Sequence, residues 1–177
     1  MLSLPYELPT LPVLATAENC EIVRGHFDAN RSLFLNETEA LIDRQNPALG
    51  DYLISLTEAA DADYAALGRE DEGAIMGTWF LTGAYAAYLA FAMEWKEAPV
   101  AVLPRADVLE ERFSGTDTDE EEITTPWTDC LQNDLNLSDL IRHLQKNTCR
   151  RGFPDTAFET GAGLVCFLMN AAVARSN

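Results

Sequence analysis

Apolar positions along the chain recur at intervals of three and four, and no run alternates with period two for long enough to predict a strand. Ile22, Val23, His26, Phe27, Leu33, Phe34, Leu41 and Ile42 predict one helix or two over 17–45. Gly25 and Asp28-Ala29-Asn30 are the expected dividing points, and Asn36-Glu37-Thr38-Glu39 is a further candidate break or cap. Asn46-Pro47 should end this segment, because a residue before proline avoids the helical region. Leu49, Tyr52, Leu53, Leu56 and Leu67 predict another helix over 48–67, with Gly68 as its C′ residue.

Gly73 to Met93 breaks the amphipathic pattern. Twenty-one positions carry no charge, and large groups such as Ile75, Trp79, Phe80, Tyr85, Leu89 and Phe91 point to all sides. Gly73 and Gly77 are spaced as GxxxG, and Gly83, Ala87 and Ala90 make a second strip of small residues that lets neighbours approach. Its length would suit a membrane span of about 20 residues. Threonines, tyrosines and glycines dilute it, however, and its flanks, Glu70-Asp71-Glu72 and Glu94, are acidic rather than cationic on one side. No second span is evident. A helix apolar all round is also what the centre of a soluble bundle needs, and that is the expectation.

Pro99 and Pro104 bracket a short extended connection, and a brief helix is expected over 105–113. Residues 117–122 form an acidic loop with five carboxylates. Thr125-Pro126 is a good N-cap and N1 pair for a helix near Trp127. Another helix is expected after Ser138, then a loop over 148–154, then a last helix capped by Asp155 or Thr156. Ahead of all these, prolines at 5, 9 and 12 predict an extended arm over 1–16, whose apolar residues need burial on their own domain or on a neighbouring subunit. The fold expected is all-α: a single domain over 17–177, a compact bundle of five or six helices around a central apolar helix at about 73–95, with the proline-containing arm attached.

Charge then narrows the function. The 177 residues hold 12 Lys+Arg against 29 Asp+Glu, a formal net charge of −17. That opposes general nucleic-acid binding, which needs cations to neutralise phosphates, and electrostatic docking on anionic membranes. A hydrophobic fraction of 47% still supports a folded core. Only Lys96 and Lys146 are lysines. An acidic, lysine-poor surface suits a salt-adapted cytoplasm, although arginine-favouring codon usage yields the same composition. The N-terminus lacks the cationic region of a signal peptide. Cys20, Cys130, Cys149 and Cys166 fit no zinc spacing, so a cytoplasmic protein with free thiols is expected.

Familiar catalytic signatures are missing. There is no GxxxxGK[ST], HExxH, GxSxG or Glu-x-x-His. Asp117 and Asp119 match the start of a calcium loop, but Glu122 stands where the turn glycine belongs. No cofactor or metal is expected. His143 follows Asp139 by four residues, a spacing that pairs them on one helix face. Against the overall charge, Arg142, His143, Lys146, Arg150 and Arg151 fall within ten residues. The helix dipole accounts for Arg142 and Lys146; the rest suggest a patch for an anion or an acidic partner surface. The function expected is a non-enzymatic protein–protein interaction or self-assembly module, acting as a homo-oligomer or with a protein partner. The alternatives are a small enzyme or ligand-binding bundle with a pocket near His26 or Asp139/His143, and membrane association through 73–93.

Overall fold

The computed structural model describes residues 13–101, 103, 126–148 and 156–176. Arm residues 1–12, the helix expected over 105–113, the loop 117–122, Cys149, Arg150 and Arg151 lie outside the described residues. The protein is all-α, and seven helices appear among the described residues rather than five or six: α1 Ala17–Ala29, α2 Arg31–Gln45, α3 Pro47–Ala66, α4 Glu70–Ala92, α5 Pro126–Asn133, α6 Leu135–Thr148 and α7 Thr156–Ser176.

Two asparagines make the extra joints. Asn30 is extended (φ −163°, ψ 104°); its N–H closes α1 on the His26 carbonyl and its Oδ1 accepts from Leu33 N–H at 3.0 Å to open α2. Helix α1 therefore runs through Gly25. The expected break at 36–39 does not occur, because Thr38 Oγ1 turns back to donate to the Phe34 carbonyl at 2.7 Å and leaves the helix whole. Asn46 divides α2 from α3, with Pro47 at the first helical position. Buried Asn46 also donates through Nδ2 to Tyr88 Oη (2.9 Å) and the Pro99 carbonyl (3.2 Å), while its Oδ1 accepts from Ala101 N–H (2.9 Å). Gly68, at φ 69°, closes α3. Its N–H reaches the Ala65 carbonyl and that of Arg69 reaches Tyr64, a Schellman pair.

The central helix spans 70–92 rather than 73–95. Glu70, Asp71 and Glu72 supply its first turn, where carboxylates complement the positive end of the dipole. It shares the centre with α7, against which it makes its most extensive contact, while α3 packs on another face. The crossing of α4 and α7 is backbone-close. A methyl on Gly83 would stand 2.1 Å from the Phe158 carbonyl oxygen, and one on Gly161 would stand 2.1 Å from that of Phe80. The GxxxG pair serves a different neighbour: Gly73 and Gly77 face Tyr64 and Thr57 of α3. Near the far end of α4 the Ala90 carbonyl accepts from Asn19 Nδ2 of α1 at 3.1 Å. One apolar helix thus meets three others through three small-residue sites.

Two helices are long and apolar enough to cross a membrane by length and composition, Glu70–Ala92 and Thr156–Ala174. The second was not expected from sequence. Most of each apolar window is buried within the fold (61% and 78%), as the paired core helices of a bundle also require.

Candidate functional site

Helix α6 starts at Leu135, three residues earlier than Ser138, because Asp134 caps it: Asp134 Oδ1 accepts from Leu137 N–H at 3.1 Å. The other carboxylate oxygen accepts from Ala15 N–H at 2.8 Å. Asn136 Nδ2 donates to the Ala15 carbonyl at 3.0 Å, so both backbone groups of Ala15 are satisfied by α6 and its cap. Two residues before Ala15, Val13 is held by buried Asn170 of α7, which accepts from Val13 N–H at 2.7 Å and donates to the Val13 carbonyl at 3.4 Å. Three polar side chains therefore hold an extended segment by its backbone, as a neighbouring strand would. These bonds concern Val13 and Ala15; residues 1–12 of the expected arm lie outside the described residues.

Asp134 is only 1% exposed. Burial pushes its carboxyl above the ordinary range, opposed by the bonds from Ala15 and Leu137. On the solvent side of this seat, Leu14 is 50% exposed and Leu135 is 74% exposed. They neighbour the bonded pair Ala15 and Asp134 in sequence, so two large apolar side chains flank that hydrogen bond.

Of the basic cluster, Arg142, His143 and Lys146 lie among the described residues, on α6. Arg142 pairs with Asp139 at 2.8 Å, which removes the expected Asp139–His143 contact. His143 reaches instead to α1, with Nε2 at 2.9 Å and 3.1 Å from the carboxylate oxygens of Asp28. Lys146 is exposed on the last turn of α6. Arg142 also lines a pocket of about 280 Å³ between α5, α6 and α7, together with Gln145 and Glu159, whose side chains hydrogen bond at 3.2 Å. A larger groove of about 570 Å³ lies between α1, α2 and α4. Phe34, Leu41 and Leu89 form apolar walls there, and His26, Glu37 and Arg44 stand at its edge. Among the described residues no group of three or more His, Cys, Asp or Glu is placed to hold a metal ion.

Three cysteines are free thiols: Cys20 and Cys166 are buried and Cys130 is half-buried. Burial, with the charges of Asp134 and Glu21 behind it, pushes the Cys20 thiol up to about 12. Cys130 lies on α5 and Cys166 on α7, two helices that pack together. The seat formed by Asp134, Asn136 and Asn170 was not legible in the sequence. The only local trace was an Asn or Asp just outside or within a helix, a pattern shared by ordinary caps.

Comparison with protein-family models, with curated proteins and with solved structures gives no match for this chain.

Proposed function

We propose that this chain is a non-enzymatic helical interaction module that self-associates through the surface at the base of its N-terminal arm. The observation that carries this is the pair of exposed leucines, Leu14 and Leu135, held in place by the Ala15–Asp134 hydrogen bond. A fully exposed-to-buried transfer of a leucine stabilises by about 1.5–3 kcal/mol, and a two-fold contact would count each leucine twice. The seat fixes Leu14 without using its side chain, so that side chain is free for a partner. Sedimentation equilibrium on the full chain tests the reading. An oligomer is expected, converting to monomer in Leu14→Ser and Leu135→Ser, with helical content unchanged. A wild-type monomer at the highest soluble concentration, or an oligomer indifferent to both substitutions, refutes it.

A second reading is favoured by the groove beside His26, whose apolar walls and polar edge suit a small ligand with an apolar body. Saturable quenching of intrinsic fluorescence by such ligands, lost in Leu41→Glu, distinguishes it from assembly at the arm.

A further inference from the structure

We propose that the groove between α1, α2 and α4 binds a short apolar peptide with free termini, its ammonium set against Glu37 and its carboxylate against Arg44. This rests on the second reading above, a ligand with an apolar body, and adds the charges at its two ends. The α2 wall reads acid, apolar, base: Glu37, Leu41 and Arg44 follow at spacings of four and three, which sets them on one helix face. Buried Phe34 and half-buried Leu41 and Leu89 supply the apolar lining.

The two charges of this strip are left open. Both residues are exposed. The ion pairs among the described residues join Arg24, Arg69, Arg142 and His143 to Glu21, Asp28, Glu72 and Asp139; Glu37 and Arg44 enter none of them. Carboxylates outnumber cations by 29 to 12 in the chain, yet none of these pairs falls on Arg44. Nor does Glu37 reach it, since seven residues of helix separate their backbones by about 10 Å.

One molecule that carries opposite charges about 10 Å apart on an apolar body answers all three parts of the strip. An extended peptide advances roughly 3.3–3.6 Å per residue, so three residues match the span. Its termini are both charged near pH 7, and apolar side chains along it meet the walls. The groove volume of about 570 Å³ falls within the range of small-ligand sites. A fatty acid answers Arg44 alone and leaves its methyl end beside Glu37. A dipeptide is short by one residue. Because both charges stand at the exposed rim, each terminus should strengthen binding by only about two- to fivefold.

The test is calorimetric titration of the full chain with trileucine, its N-acetyl and C-amide forms, the doubly blocked form, and dileucine. Expected is saturable binding of trileucine, tighter than that of dileucine and abolished in Leu41→Glu. Acetylation should weaken binding about two- to fivefold in wild type and not at all in Glu37→Gln. Amidation should do the same in wild type and nothing in Arg44→Gln. Glu37→Arg should weaken the free peptide, and Glu37→Arg with Arg44→Glu should restore it, since the peptide can enter the other way round. Circular dichroism of each variant separates these losses from misfolding. Doubly blocked trileucine binding as tightly as the free peptide overturns the proposal while leaving the apolar groove reading intact. No binding of either form overturns both. Sedimentation in which Leu41→Glu dissociates an oligomer overturns the proposal too, since a second copy would then fill the groove.

Discussion

Gly83 and Gly25 are both interior helical glycines, and replacing each with alanine should change stability in opposite directions. At Gly25 a methyl meets nothing within 4 Å. The substitution there removes only the conformational freedom of glycine and should stabilise by about 0.5–1 kcal/mol. At Gly83 the same gain applies, but the methyl would stand 2.1 Å from the Phe158 carbonyl oxygen and 2.9 Å from its carbonyl carbon. Ordinary contacts begin near 3.4 Å, so the α4–α7 crossing must open by roughly 1 Å, as an overpacked core does at a cost of about 1–3 kcal/mol or more. After subtracting the propensity gain, Gly83→Ala should lose about 1–2 kcal/mol, and the two variants should differ by about 2–3 kcal/mol. Urea unfolding followed by circular dichroism reads this as midpoints displaced to either side of wild type at unchanged m-value. Gly161→Ala, which meets the Phe80 carbonyl oxygen at 2.1 Å, should resemble Gly83→Ala. The double variant should lose less than the sum, because an opening that admits one methyl admits the other. A Gly83→Ala protein as stable as wild type would refute the close crossing.

Three further outcomes follow from the seat and the interhelix contacts. Asn170→Ala removes both bonds to Val13 and should cost about 1–3 kcal/mol, with faster hydrogen exchange at Val13 N–H and quicker proteolysis within residues 1–16; unchanged cleavage there would sink the seat. For Asp134, folding raises the carboxyl above its unfolded value, so the folded state binds the extra proton and this group's contribution is present below the unfolded value and lost as pH rises through the folded one. The stability-versus-pH slope of wild type, from the ordinary Asp value upward through the raised one, should accordingly be more negative than that of Asp134→Asn; identical slopes would contradict the burial. A double-mutant cycle on Asp28 and His143, which are 46% and 19% exposed at their side chains, should give a coupling of about 0.2–1 kcal/mol in urea unfolding; no coupling would contradict the α1–α6 contact.

The all-α class, the ends of α2 and α3, and the burial of the helix around 73–93 could be read from residue order alone. The helix ends depend on interactions within four or five residues: Pro47 suits the first position of a new helix and Gly68 accepts φ 69°. The burial was legible because an uncharged helix has most to gain by packing. Joints set by asparagine were half legible. Asn30 and Asn46 are good caps wherever they stand, but Asn36 looks the same in sequence and lies inside a helix, because α2 continues across it.

Pairing between distant residues was decided by the tertiary structure. His143 has Asp139 on its own helix face, yet Arg142 takes Asp139 and α1 brings Asp28 within 2.9 Å of the imidazole. Gly83 and Gly161 are ordinary small residues until two helices cross at both. Likewise Ala15, Asp134, Asn136 and Asn170 carry no shared motif, and they meet only because α6 and α7 present polar side chains to one extended segment. Local order determines which backbone conformations are affordable, since those energies arise between near neighbours. Which polar group satisfies which is set by helix packing, since those contacts join positions as far apart as 13 and 170.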